Sequence, residues 1–439
     1  MTNSNAENIY KLEGRVPLAK AVPLGLQHIL AMFVANITPI MILASVLGLD
    51  SSLSGRIIQN AMIVAGIGTL IQLNPLWKIG SGLPIVMGIS FTFLNTAIFI
   101  GTNYSIGTVI GCVIAGGIIE GLLGLFAKYW MKIISPIVAA TVVTAIGFSL
   151  LTVGAASFGG GQGAAGFGSV NNWIVGTVTL VSCLCFSIFL RGYLKVISVL
   201  FGLIIGYILS VCLGMVDFSV LKGTSIVSVP AILPFKPEFN IGAILSMVVI
   251  YLVSATETIG DSTAVAETGL NRSISEKELS GSLAVDGFIS ALAGVFGCTP
   301  ITSFSQNIGL VAMTKVVNRF VIGTGAVIMI IAGIFPAVGA FLTTVPQAVL
   351  GGCTIMMFGN IVVAGFQMLG KCGYSSRNIT ISALSLSVGL GFTQIKDLFG
   401  IFPPIVQSVF AENCVAVVFV LSIILNLVLP KDENPETNN

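Results

Sequence analysis

The sequence predicts an all-α polytopic membrane fold, with fourteen spans in two inverted repeats of seven. Three observations carry this reading. Of 439 residues, 55% are hydrophobic and only 8% charged, with a mean hydropathy of +1.03, far from the composition of water-soluble domains. Apolar runs separated by Gly, Pro and short basic loops recur at about the 20 helical residues needed to cross a hydrocarbon core of roughly 30 Å, which implies helices and not a barrel. Two proline landmarks also recur at nearly half the chain length. Pro84 in "GLPIVMGISF" and Pro300 in "CTPITSFSQN" lie 216 residues apart, and Pro136 in "SPIVAATVV" and Pro346 in "VPQAVLGGC" 210 apart. That spacing marks a duplicated unit. Seven spans is an odd number, so the second copy enters the membrane from the opposite side.

The spans begin near residues 21, 57, 83, 105, 131, 172, 196, 241, 281, 303, 320, 344, 376 and 403. The charges support this count. With a cytoplasmic N-terminus, fifteen of the nineteen Lys and Arg fall inside, leaving Arg56, Lys222, Lys236 and Lys396 outside. Adding or dropping one span would invert every later loop and break this positive-inside bias. Both termini are therefore expected in the cytoplasm. The net charge of +2 reflects the loop bias, and nucleic acid is not implied as a partner. The polar first twenty residues lead into an apolar run with no small-residue cleavage pattern, so a cleavable leader is not expected.

The first span carries the sole histidine, His28, in "LQHILAMF", where a helix-to-helix hydrogen bond is the favoured role over a proton relay. The third span is short and broken at Pro84, and Ser90 stands at the same offset from its proline as Gln306 does from Pro300. Glu120 in the fourth span and Glu412 in the last are candidates for bridging helices. Between the fifth and sixth spans, Gly161, Gly163 and Gly166 spell GxGxxG, but no strand precedes them and no nucleotide-binding helix follows, so a flexible loop is expected. The eight cysteines form no CxxC pair and are read as helix packing. With one histidine and no nucleophile constellation, a membrane enzyme is excluded and no cofactor or metal is expected.

The eighth span, "YLVSATETIGDSTAVAE", sets Glu257 and Asp261 four apart on one helix face, with Gly260 permitting close approach of backbone or ligand. Acidic groups inside spans are expensive and usually functional. Glu257 is the deeper, and Glu267 is expected near the cytoplasmic mouth. Asp286 in "LAVDGFIS" could hold either the eighth or the tenth span. The tenth, "CTPITSFSQNIGLVAMTK", is too polar for an ordinary membrane helix. Non-helical backbone at mid-membrane is tolerated only where it lines a cavity or is buried in protein, and paired broken spans in inverted repeats mark secondary transporters. A binding site is expected there.

These residues resemble the nucleobase-ascorbate transporter family. Gln306-Asn307-Ile308-Gly309, followed after four residues by Thr314-Lys315, is similar to the family's tenth-span signature. "LQHILAMF" resembles its first-span Gln-His motif, "GISFTF" its third-span strand and "ETIGD" its eighth-span carboxylate motif. The resemblance runs the whole chain in the same order. It implies short antiparallel strands in spans 3 and 10, a homodimer, and a division into core and gate. Cytoplasmic tails would occupy residues 1–20 and 430–439, and the core 21–126 (spans 1–4) and 241–342 (spans 8–11). The gate would comprise 127–240 (spans 5–7 and a loop) and 343–429 (spans 12–14).

Within the family, Gln306-Asn307 and Asp261 resemble the purine branch that carries xanthine or uric acid, while Lys315 departs from the Gly of many xanthine carriers and the Arg of many urate carriers. The function implied is import of a purine nucleobase, xanthine first and uric acid or guanine next, by alternating access. Glu257 would accept from ring N–H groups, Gln306 would bond bidentately, and Phe91 would stack, with Ser90 and Ser305 beside them. Asp261, Asp286, Asn307, His28, Gly309 and Thr314 would support the site or its coupling. Protons are the expected coupling ion, since carboxylates are the main titrating groups near the broken spans; Na⁺ is the alternative. The competing readings are a uracil or other nucleobase carrier, and an anion carrier of the related sulfate-transporter fold, which Glu257 disfavours.

Overall fold

The computed structural model describes residues 7–130, 134–222, 225–411 and 413–431. Lys132 and Glu412 lie outside them. Leu18–Val46 forms α1, Ser51–Leu73 α2, Met87–Ile89 β1, Leu94–Asn103 α3, Ile106–Leu125 α4, Pro136–Phe158 α5, Val170–Phe189 α6 and Ser198–Cys212 α7. The second half repeats that order: Ile241–Ala264 is α8, Glu276–Val295 α9, Ile301–Ser303 β2, Ser305–Thr314 α10, Arg319–Ile334 α11, Gln347–Cys372 α12, Ser376–Phe392 α13 and Cys414–Val428 α14. Among the described residues eight helices are long and apolar enough to cross a membrane alone, and a ninth crossing arises if α11 and Pro336–Thr343, bent by 80°, count as one. The other predicted spans correspond to shorter helices. The chain is a mostly helical membrane protein. The GxGxxG glycines fall in the loop before α6, all at positive φ.

Helix contacts expose the inverted repeat. α4 packs on α9, and seven spans onward its counterpart α11 packs on α2. α1 lies on α11 as α8 lies on α4; α6 pairs with α7 as α13 pairs with α14; and α5 with α12 is its own counterpart. The α4–α9 seam needs glycine, because a Cβ at Gly287 would stand 2.0 Å from the Gly121 nitrogen.

At the centre β1 and β2 run antiparallel, pairing Met87 with Ser303, Gly88 with Thr302 and Ile89 with Ile301. Bonds from Ser90 N–H to the Pro300 carbonyl (3.1 Å) and from Phe304 N–H to the Val86 carbonyl (3.0 Å) extend the pair. The register makes Gly88 and Thr302, 214 residues apart, structural equivalents. This shift is two residues less than the proline landmarks, so Ser90 corresponds to Phe304 and not to Gln306. The prolines precede their strands at different distances, which is why they misalign.

A two-stranded ribbon has two open edges, and unpaired N–H groups in a bilayer are costly. Four side chains close them. Thr69 Oγ1 on α2 accepts from Met87 N–H (2.9 Å) and Asn36 Oδ1 on α1 from Ile89 N–H (2.7 Å). On the other edge Ser290 Oγ on α9 accepts from Ile301 N–H (3.1 Å) and Asp286 Oδ2 from Ser303 N–H (3.2 Å).

Candidate substrate site

Both strands end at a cavity of about 960 Å³. Ser90 and Phe91 reach it from the turn after β1, Glu257 and Asp261 from α8, and Ser305 and Gln306 from the first turn of α10. Helices α3 and α10 thus begin beside the cavity, and their N-terminal N–H groups give it positive polarity.

Glu257 Oε2 accepts from the Thr92 hydroxyl at 2.7 Å. Asp261 Oδ2 accepts from Ser303 (3.0 Å) and Ser305 (2.9 Å), tying α8 to the broken span. Among the described residues the ion pairs are Arg272–Glu278 and Arg319–Glu13, so neither cavity carboxylate is matched by a basic side chain. No described residue bonds the Gln306 amide, leaving two donors and an acceptor open to a ligand. Phe91 presents an apolar face braced edge-on by Phe358 of α12 at 5.1 Å. A flat heterocycle bearing N–H and C=O groups matches this wall: carboxylate for donors, amide for mixed edges, ring for the face.

The remaining predicted residues lie behind the wall or at its end. Asp286 is fully buried and accepts from the Thr258 hydroxyl as well as from Ser303 N–H, so it holds both the eighth span and the tenth. The Asn307 amide donates to the His28 carbonyl (3.0 Å) and lies 3.4 Å from His28 Nδ1, joining α10 to α1. Thr314 bonds the Leu310 carbonyl near the end of α10, and a Cβ at Gly309 would meet nothing within 4 Å. Lys315, in left-handed conformation at the α10 C-cap, donates to the Thr268 carbonyl (2.6 Å) in the π-turn Val265–Gly269 that ends α8. Glu267, from that turn, lines the cavity together with Lys371 and Arg377.

Sequence reasoning missed Thr92, Thr258, Asn36, Thr69 and Ser290. Their one sequence signal is a small polar residue inside an apolar span, which many membrane helices share.

A family profile described as "Permease family" matches residues 19–398. A putative purine permease of Clostridium perfringens is 35% identical over 98% of this chain and 94% of its own length. A xanthine permease of Escherichia coli is 34% identical over 98% and 95%. The chain belongs to the nucleobase-ascorbate transporter family. Another relative in the same group, a uric acid permease of Bacillus subtilis, is 35% identical over 86% of this chain and 88% of its own. Membership makes the chain a multi-pass membrane transporter and not an enzyme. Among solved structures, the transmembrane domain of the cyanobacterial bicarbonate transporter BicA aligns at a TM-score of 0.63 and 15% identity, covering 92% of this chain and 98% of its own. The murine anion transporter Slc26a9 aligns at 0.63 and 11%, covering 96% and 70%. At such identities the family member shares their fold, and nothing is carried over from their anions.

Proposed function

We propose that this protein imports a purine nucleobase, xanthine in preference to uric acid or guanine, by proton symport through alternating access. The observation that carries the reading is the convergence of Glu257, Gln306, Phe91, Ser90 and Ser305 from three chain segments on one cavity. The relatives named for xanthine, uric acid and purines support the substrate class. Glu257 and Asp261, set where two helix N-termini would otherwise favour an anion, oppose the anion-carrier reading.

Glu257 and Gln306 bind the base, Phe91 stacks on it, and Ser90 and Ser305 lie beside it. Asp261, Asp286, Asn307 and His28 hold the half-helices in register, and Thr314 and Gly309 belong to the far end of α10. Helices α1–α4 and α8–α11 act as a core carrying the site past a gate of α5–α7 and α12–α14. The cavity reaches Lys371 and Arg377, which the charge rule puts in the cytoplasm, and Glu267, expected near the cytoplasmic mouth, so this conformation faces inward. The working unit is a homodimer in the cell membrane, with both termini cytoplasmic.

The test is uptake of labelled xanthine by cells lacking their own carriers, competed by unlabelled uric acid, guanine, hypoxanthine and uracil. Competition by purines and not uracil is expected. Competition by uracil alone, or absence of purine uptake with protein in the membrane, would overturn the reading.

A further inference from the structure

Outside the lining of the substrate cavity, two buried acidic side chains have no basic partner among the described residues. Glu120, on α4, is 3% exposed and neither of its carboxylate oxygens has a hydrogen-bond partner among the described residues. Asp286, across the α4–α9 seam, is fully buried, and its Oδ1 is likewise unpartnered. Each adjoins in sequence one of two glycines, Gly121 and Gly287, whose backbones meet across the seam. Gly117 and Gly121 bring α4 and α9 together at backbone distance, with a Cβ at Gly117 only 2.5 Å from the Ala291 nitrogen. Glu120, one turn from Gly117, shares that face.

The other groups facing Glu120 supply no positive charge. From α8 comes Tyr251, whose hydroxyl is committed to the Val113 carbonyl at 3.0 Å. Glu120's own helix contributes Cys112, next to Tyr251, and α3 has no titratable group facing the seam. Lys128, beyond the end of α4, is exposed and sits over the Tyr129 ring. Glu257 and Asp261 face the cavity instead. A buried carboxyl group with no basic partner is either held neutral by a proton or compensated by another cation.

We propose that Glu120 and Asp286 form a second cation station, separate from the substrate cavity, that takes up one monovalent cation, H⁺ or Na⁺, in each transport cycle. The inference rests on reading the chain as a cation-driven carrier. The connection to substrate is physical. Asp286 Oδ2 accepts from Ser303 N–H, and the Ser303 hydroxyl donates to Asp261, which lines the cavity. A cation arriving between Glu120 and Asp286 changes the charge on the acceptor that fixes β2, and so the geometry offered to the base.

The experiment compares full-length wild type with Glu120→Gln in proteoliposomes, following labelled xanthine under an imposed pH gradient, under a Na⁺ gradient, and in counterflow with xanthine on both sides. Counterflow by Glu120→Gln is expected within about twofold of wild type, while accumulation falls from roughly fifty-fold per 100 mV toward unity. The gradient that drives wild type but not the variant identifies the cation. Accumulation like wild type under both gradients overturns the proposal, as does joint loss of counterflow and accumulation at normal abundance.

If Glu120→Gln fails to insert, Glu120→Asp takes its place, with accumulation at an altered pH or Na⁺ optimum expected and an unchanged profile overturning the proposal. If wild type carries no purine, the functional reading fails on its own, and the station is read from melting of the purified proteins against pH and Na⁺. A step present in wild type and absent in the variant supports it; identical curves refute it.

Discussion

Replacing Thr69 by Val isolates one edge bond of the central ribbon. Thr69 and Met87 are both fully buried, and Thr69 Oγ1 accepts the Met87 N–H at 2.9 Å while donating to the Ala65 carbonyl at 2.8 Å. Valine keeps the shape and removes the acceptor, stranding one N–H at about 1–3 kcal/mol. The free protein can relieve part of that by letting β1 lean toward the cavity. With a base in place that movement is blocked, so the cost appears in binding as roughly a five- to 150-fold loss of affinity. The assay is binding of labelled purine by purified protein, with thermal melting of the same samples and Thr69→Ser, which retains the hydroxyl, as control. Ser290→Ala removes the counterpart acceptor of Ile301 N–H at 3.1 Å and should weaken binding comparably. A Thr69→Val protein with wild-type affinity and melting temperature would show that the edge bond does not hold the site.

Glu257→Gln and Gln306→Ala should each nearly abolish uptake at normal membrane abundance, measured by transport beside immunoblotting, because each withdraws bonds that replace water around a buried base; near-normal uptake by either would remove that residue from the site. Asp286→Glu should retain more accumulation than Asp286→Asn despite the methylene it forces into a fully buried position, a strain of about 1–3 kcal/mol that lowers abundance; the opposite order would mean that hydrogen bonding without charge suffices. Uptake should collapse with a protonophore, fall at alkaline external pH and ignore replacement of Na⁺ by choline, since one inward charge with a neutral base taps about 2.3 kcal/mol per 100 mV; strict Na⁺ dependence would refute proton coupling.

Much of the architecture was legible because it is written in interruptions. Pro84 and Pro300 break their spans, and the polar run from Thr302 to Asn307 has no reason to enter a membrane except to line something. Glu257 and Asp261 announced themselves by cost. The ribbon's supports were not legible, because serine and threonine in membrane helices ordinarily satisfy their own backbone: Thr69 does bond Ala65, and only folding reveals its second bond. Asn307 and His28 stood in separate motifs, and nothing local says that one amide joins them. The repeat shift was misjudged by two residues because landmarks outside the strands do not report strand register.

The four edge acceptors also separate two duties. Thr69, Asn36, Ser290 and Asp286 bind strand amides at 87, 89, 301 and 303, whereas Ser90, Phe91, Ser305 and Gln306 line the cavity without taking part in those bonds. Selection can therefore rewrite the contact surface without touching the frame that supports it. A library randomised at 90, 91, 305 and 306 samples new cargo preferences at little risk to folding, whereas one at 36, 69, 286 and 290 mostly yields protein that never reaches the membrane. Descendants of this chain can change what they carry faster than how they are built.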